Sequence, residues 1–141
     1  MKTLKTLTAA LLFAISSTAF ANDETSHYKL KMDYAVQTYV DAVWHGELTG
    51  LNEILDKDVK FTFTRNEKIF NYGKNDLLKF LKSMENVKQN CVTKTSIIEA
   101  DSTQTIVKVA MKYKNFTRIN YLSLANTAKG WKITNITSTF I

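Results

Sequence analysis

The side chains of this sequence that could take part in chemistry are suited to hydrogen bonding more than to nucleophilic attack or metal binding. Tyr39 puts a phenol hydroxyl on the apolar stripe of a predicted helix, where it could pack in the core or serve as a polar anchor of a pocket. His27 and His45 have no second His, Cys or acid at a metal-ligand spacing, and Cys91 is the single cysteine. We therefore expect no metal site, no cofactor and no disulfide within the chain.

Motifs of the common catalytic classes are missing from the sequence. There is no G-x-S-x-G segment for a serine nucleophile, and the four glycines form no phosphate-binding loop. Asp33 and Asp41 lie on the same predicted helix, and a solvated helix face explains them better than a catalytic pair.

The elements that would position these side chains begin with a long helix. Apolar residues recur at steps of three and four over residues 25–44, which is typical of an amphipathic helix, and Gly46 is suited to end it because glycine readily adopts positive φ. Residues 48–55 predict a short second helix, with 56–58 as its exit turn. Residues 59–63 alternate between apolar and polar side chains, which predicts a half-buried strand.

A hairpin, a third helix and four strands are predicted for the rest of the sequence. Residues 65–67 are predicted as a hairpin loop before a returning strand at 68–72, and Asn75 is suited to cap the third helix. Because short turns join the later strands, we expect them to pair antiparallel. Helices followed by a curved antiparallel sheet predict an α+β domain in which the long helix packs into the concave face of the sheet. The later strands are predicted at 92–100, 105–113, 117–125 and 131–140.

Five segments of the sequence resemble a known superfamily. Three segments resemble the opening of the nuclear transport factor 2-like, or SnoaL-like, superfamily: YVDAVWHG at 39–46, LNEIL at 51–55 and DVKF at 58–61. Two segments resemble the closing strands of its subfamily named Putative lumazine-binding: NYLSL at 120–124 and GWKI at 130–133. The resemblance implies a cone-shaped α+β barrel, a curved antiparallel sheet wrapped around a long N-terminal helix, with an internal pocket. It implies no single activity, because members include both enzymes and binding modules.

The ketosteroid isomerase branch of this superfamily supplies the sharpest enzymatic hypothesis. Its chemistry pairs a carboxylate base with a tyrosine and a protonated acid that stabilise an enolate oxygen. The resemblance puts Tyr39 where that branch has its oxyanion tyrosine and Asn120 near the second oxyanion acid, but it puts Phe63 where the base would stand. A phenylalanine cannot accept a proton, so we do not expect steroid isomerisation.

The first hypothesis is a binding protein that holds a small apolar or aromatic molecule in the cone. One alternative is a SnoaL-like enzyme of the isomerase, cyclase or dehydratase type, which would use Tyr39 and Asn120 as hydrogen-bond donors with a base that the sequence does not identify. Another is a protein-interaction module whose cavity is filled by its own side chains. The expected ligand-binding residues are Tyr39, Val43, Phe61, Phe63, Tyr113 and Asn120.

The first residues of the chain have the plan of a secretory signal. Lys2 and Lys5 form a basic start, 7–15 an apolar run, and Ala19-Phe20-Ala21 an A-x-A end. We expect 1–21 to be a cleaved signal peptide and 22–141 to be one nuclear transport factor 2-like domain. The product would be secreted, into the periplasm of a bacterium, without membrane insertion.

The charge balance excludes a strongly basic surface. Removing Lys2 and Lys5 from 19 basic residues leaves 17 against 13 acidic ones, and the remaining lysines are scattered, so we expect no nucleic-acid partner. We do expect a homodimer formed through the outer face of the sheet. The reason is that Ile106, Met111 and Leu124 cannot all point inward if the strand period holds.

Overall fold

In the computed structural model, which describes His27 and residues 30–141, three helices with described bounds accompany one six-stranded sheet, and His27 is also helical. The predicted signal peptide at 1–21 lies outside the described residues. The fold class is α+β, as predicted from the sequence. The elements in chain order are α1 (Met32–His45), α2 (Leu51–Ile54), β1 (Leu55–Arg65), β2 (Lys68–Tyr72), α3 (Lys74–Lys82), β3 (Val92–Ala100), β4 (Gln104–Lys112), β5 (Thr117–Thr127) and β6 (Gly130–Phe140).

The sheet is curved and does not close, so the expected barrel is an open sheet with β2 and β3 at its two edges. Its strand order is β2-β1-β6-β5-β4-β3. Neighbouring strands pair antiparallel except β1 and β6, which pair parallel. Short turns dictate antiparallel pairing only for strands that follow one another, whereas β1 and β6 come from the two ends of the sheet-forming sequence.

The first helix is shorter than its apolar pattern predicts. Lys31 has an extended backbone (φ −76°, ψ 150°), so α1 begins at Met32. Of the predicted residues 25–29, only His27 is described. Gly46 ends the helix in the left-handed conformation with φ 72°, which confirms its predicted role. The buried face of α1 carries Tyr39 and Val43 into the core.

Two predicted boundaries are wrong because contacts between elements decide them. The exit turn expected at 56–58 is part of β1, since Leu55 already pairs with β6 and the pairing resumes at Lys60 after a bulge. Asn75 is not the cap of α3, because Gly73 is the N-cap residue. The Lys74 ammonium donates to the carbonyl oxygens of Asn52 and Leu55 at 2.8 and 2.9 Å, which attaches the start of α3 to the end of α2.

The core lies between α1 and the concave face of the sheet. Met111 and Leu124 point into it and are almost fully buried, whereas Ile106 points outward with 37% of its surface exposed. Residues that are paired across neighbouring strands form a row, and their side chains point to the same face of the sheet. The buried side chains therefore form continuous rows across the sheet. One such row joins Phe61 of β1, Ile136 of β6 and Leu122 of β5.

Candidate ligand-binding site

A cavity of about 920 Å³ opens at the end of the concave face, beyond the core packed under α1. Its floor is the sheet, its side wall is α3, and its far rim is formed by the ends of β5 and β6. The apolar part of its wall is dominated by aromatic rings. The lining residues are Phe61, Phe63, Thr64 and Arg65 of β1, Tyr72 of β2, Asp76, Leu77, Lys79 and Phe80 of α3, Ser83 after it, Arg118 of β5 and Phe140 of β6.

The register of the sheet explains why these residues meet. Phe63 of β1 lies opposite Ser138 of β6, which lies opposite Asn120 of β5. The next row outward pairs Phe140 with Arg118. Because side chains two positions apart on a strand share a face, Arg118 extends the same concave face that holds Asn120. The rows of side chains that form the core therefore continue into the cavity, where the outermost row carries the positive charge of Arg118.

The aromatic wall is built on the β1–β2 hairpin. The Phe63 ring stacks on Phe70 with centroids 5.0 Å apart and an interplanar angle of 16°, and it lies 6.0 Å from the ring of Tyr72. Phe61 contacts Phe63 at a centroid distance of 5.7 Å. Such offset and tilted pairs stabilise one another beyond their burial. The wall therefore presents preformed ring faces on which an aromatic ligand could stack.

Arg118 is held in place by a short chain of hydrogen bonds. Its Nε donates to Oδ1 of Asn120 at 3.1 Å, and the same oxygen accepts from Oγ of Ser138 at 2.5 Å. The Asn120 amide nitrogen lies 3.9 Å from the sulfur of Met111. Two donors on one oxygen fix the orientation of the amide. The Arg118 guanidinium also lies 6.0 Å from the centre of the Phe140 ring.

Three cations and one carboxylate line the cavity. The cations are Arg65, Lys79 and Arg118, and the carboxylate is Asp76. None of the ion pairs among residues 30–141 joins any two of these four side chains. The described lining residues therefore carry more positive than negative charge, and their cations are not held in ion pairs with Asp76.

Sequence comparison identifies the family. The family described as Putative lumazine-binding matches residues 27–137, which is most of the chain and includes nearly all of the cavity wall. The chain belongs to the Putative lumazine-binding family. This confirms the resemblance seen in the sequence segments. No curated protein matches this sequence.

Solved structures share the fold of this family member at low sequence identity. A nuclear transport factor 2-like protein of unknown function from Silicibacter pomeroyi has a TM-score of 0.66 at 12% identity, over 84% of this chain and 98% of that one. A similar protein from Shewanella baltica has a TM-score of 0.61 at 10% identity, over 89% and 98%. A ketosteroid isomerase-like protein from Erwinia carotovora atroseptica has a TM-score of 0.59 at 14% identity, over 78% and 93%. These likenesses show the nuclear transport factor 2-like fold.

The predicted ligand-binding residues of this family member lie in different environments. Phe61 and Phe63 are on the cavity wall. Tyr39 and Val43 lie on the buried face of α1, and Asn120 is fully buried behind Arg118. None of these three residues lines the cavity. Tyr113 lies beyond the cavity, where it stacks on Phe116 and its hydroxyl donates to Oε1 of Gln89 at 3.2 Å.

The buried phenol of Tyr39 remains protonated at neutral pH. Burial raises the pKa of Tyr39 to about 12, although the positive charge of Arg118 opposes this shift. Burial, with a smaller effect of Cys91, also raises the pKa of Tyr113. Both side chains are therefore neutral hydrogen-bonding groups, and Tyr39 does not neutralise Arg118.

Several cavity residues were not predicted from the sequence. Arg118 and Phe140 come from the last strands, and Lys79 and Phe80 come from α3. Strand alternation could have found Arg118, because it stands two positions before Asn120 and is one of two arginines in the chain. The residues on α3 give no such signal, because only the packing of that helix against β1 brings them to the wall.

Neither a membrane-spanning helix nor a metal cluster is found in the described part of the chain. No described helix has the length and apolar character that crossing a membrane requires. The described residues also contain no group of three His, Cys, Asp or Glu side chains that could hold a metal ion.

Proposed function

We propose that this chain is a secreted binding protein that holds a small molecule with an apolar or aromatic body in the cavity. The observation that carries the proposal is a preformed cavity of about 920 Å³ with five aromatic side chains on its wall. Pockets that bind small molecules typically have volumes of about 300–1,000 Å³ and a mostly apolar lining with a few polar groups. The five aromatic residues are Phe61, Phe63, Tyr72, Phe80 and Phe140.

The size of the cavity supports ligand binding over an interaction module with a filled cone. In that alternative, Phe61, Phe63 and Trp44 would occupy the space. Phe61 and Phe63 instead stand side by side on the wall, and Trp44 packs at the end of α1 against His45 at a centroid distance of 4.4 Å.

The chemistry of the wall supports binding over catalysis. Phe63 stands where the resemblance would put a catalytic base, and it stacks on Phe70. Asp76 is the carboxylate among the described lining residues, and it is exposed on α3. If the wild-type protein isomerised a steroid enone, and Tyr39→Phe lost that activity, the enzyme alternative would be the better account and Asp76 the first candidate base.

A thermal shift screen of the wild-type protein tests the proposal, and a variant with a blocked cavity serves as its control. The panel contains lumazine, other pteridines, flavin fragments, steroids and aromatic acids, with lumazine included because the family name suggests it. A compound at about 100 times its dissociation constant should stabilise the fold by roughly 2.7 kcal/mol, which raises the melting temperature by several degrees. Mass spectrometry of molecules that copurify with the native protein supplies further candidates.

Two tryptophan variants show whether a positive compound occupies this cavity. Ser83→Trp places a large side chain at the cavity wall, and it should remove the thermal shift. Ser96→Trp places the same side chain on exposed β3, away from the lining residues, and it should keep the shift. If no compound in the panel shifts the wild-type protein, or if both variants respond alike, ligand binding in this cavity is refuted.

The secretion of the protein is a separate part of the proposal. It is supported by the basic start, the apolar run and the A-x-A end at Ala21. N-terminal sequencing of the protein from the periplasm should return Asn22. A chain that retains Met1 would contradict the expected compartment.

We also propose that two copies associate through the outer face of the sheet. Ile106 on that face is 37% exposed, which supports an interface there. Light scattering at high micromolar concentration should give the mass of a dimer, and Ile106→Glu should give a monomer. As a matched control, Val87→Glu changes an exposed aliphatic residue of the segment after α3, outside the sheet, and should leave the dimer intact. A monomeric wild type would contradict the proposal.

A further inference from the structure

We propose that the ligand is an anion, the carboxylate of an apolar or aromatic acid, and that Arg118 binds this carboxylate. The inference rests on the proposed binding function and adds to it the chemical class of the ligand. Its basis is the position of Arg118, the way its side chain is held, and the charge of the remaining wall.

Arg118 lies where the apolar floor of the cavity meets its mouth. It shares the concave face with Asn120, and its row contains Met111 on one side and Phe140 on the other. Met111 is fully buried beneath it, whereas Phe140 is 54% exposed at the rim. A molecule whose apolar body lies against the aromatic wall would therefore bring a polar end group to this guanidinium.

The hydrogen bonds of Arg118 leave its terminal nitrogens available to a ligand. Only Nε is used, in the 3.1 Å bond to Asn120. Within residues 30–141, no described hydrogen bond or ion pair involves the two Nη atoms of Arg118. A guanidinium presents its donors in a planar fork that matches the two oxygens of a carboxylate. The bond between Asn120 and Ser138 orients this fork before the ligand arrives, which lowers the entropy cost of binding.

The electrostatics of the cavity also favour an anion. Arg118 is half-buried, so its charge is screened less than that of an exposed side chain. Lys79 and Arg65 are exposed on the same wall and add positive potential around the mouth, against the single carboxylate of Asp76. Tyr39 stays a neutral phenol near Arg118 and does not cancel its charge.

A matched pair of probes separates charge recognition from apolar binding. Cinnamate and cinnamamide have the same ring and chain, and they differ in whether the end group is a carboxylate or a neutral amide. Their affinities for the wild-type protein and two variants are measured by isothermal titration calorimetry. Arg118→Gln removes the positive charge of Arg118 from the cavity wall. Lys112→Gln removes a charge from the neighbouring row of β4, where the alternation of the strand puts the side chain on the opposite face.

We expect the wild-type protein to bind cinnamate about 10- to 100-fold more tightly than cinnamamide, since hydrogen bonds to charged groups are worth roughly this factor. Arg118→Gln should lose most of that preference, because cinnamate then loses the charge-assisted hydrogen bonds that a neutral amide cannot make. Lys112→Gln should keep the preference. If Arg118→Gln does not fold by circular dichroism, Arg118→Lys takes its place, and it should bind cinnamate several-fold more weakly because it lacks the fork.

The outcomes distinguish this inference from the proposed function. Equal affinity of the wild-type protein for both probes would overturn the anion class and leave ligand binding intact. A preference for cinnamate that persists in Arg118→Gln, or that is unchanged in Arg118→Lys, would overturn the role of Arg118. If neither probe binds, the inference fails, and the proposed function fails with it only if the wider panel is also negative.

Discussion

Replacing Gly46 by alanine tests how rigidly the end of α1 is joined to the segment that follows α3. Gly46 has φ 72°, and an added Cβ would lie 2.6 Å from the carbonyl oxygen of Met84. It would also lie 2.7 Å from the amide nitrogens of Asn86 and Val87. All three atoms belong to the backbone, so no side-chain rotation can relieve the contacts. The Asn86 amide also donates to the Gly46 carbonyl at 2.9 Å, which holds the two segments together.

The expected loss of stability has two parts. Holding alanine in the left-handed conformation costs about 1 kcal/mol, and forcing an extra methyl group into a packed site costs about 1–3 kcal/mol. Together they lower the free energy of unfolding by about 2–4 kcal/mol, a large share of the roughly 5–15 kcal/mol of an ordinary domain. For a domain of this size, the melting temperature should fall by about 8–16 °C.

Circular dichroism during heating and urea titration measures this change. The matched control is Gly73→Ala, because Gly73 has φ −90° and an added Cβ there meets nothing within 4 Å. As an N-cap substitution, it should cost no more than about 1 kcal/mol. If Gly46→Ala is no less stable than Gly73→Ala, the backbone around 84–87 moves aside easily, and the argument for a rigid junction is refuted.

Three further predictions concern pH and the core. Burial raises the pKa of Tyr39 from 10.0 to about 12, so Tyr39 ionises at a lower pH in the unfolded chain than in the folded protein. The free energy of unfolding should therefore fall as the pH rises above 10. Urea titrations should show a smaller fall for Tyr39→Phe. Hydrogen bonds from Thr103 and Gln104 lower the pKa of Asp101 below 3.8. The ionised carboxylate therefore stabilises the fold above that pH, and this stabilisation is lost as the pH falls through the lowered pKa. In the same titrations, Asp101→Asn should reduce the loss of stability at acid pH. Leu122 is fully buried, and Leu122→Ala should lower the free energy of unfolding by about 2–5 kcal/mol; a urea midpoint close to that of wild type would mean that the core closes around the gap.

The elements themselves could largely be predicted, because the signals that define them are local. The strand at 92–100 and the returning strand at 68–72 have the predicted bounds, and Gly46 ends the first helix as expected. Apolar alternation and a glycine that tolerates positive φ act within a few residues. The start of α1 could not be predicted in this way, because the apolar pattern continues through Lys31 while its backbone is extended.

The candidate site could be predicted only where a strand pattern pointed to it. Phe61 and Phe63 alternate on β1, and both lie on the wall. The sequence predicts Asn120 as a ligand-binding residue, and the structure places it fully buried, where its amide oxygen accepts a hydrogen bond from Arg118. Its neighbours Ser138 and Arg118 come from different rows and strands, and no local pattern in the sequence indicates that their hydrogen bonds meet on one oxygen.

From the sequence by itself came the α+β class, the family resemblance and the aromatic strand, since each depends on residue types and short spacings. Only the tertiary structure decided that β1 pairs parallel with β6, which brings Phe63 beside Ser138. That pairing places the aromatic wall and the charge of Arg118 on one concave surface, with α3 closing its side. Such a pairing joins segments about 75 residues apart, and it depends on the free energy of the whole packed sheet rather than on any local preference.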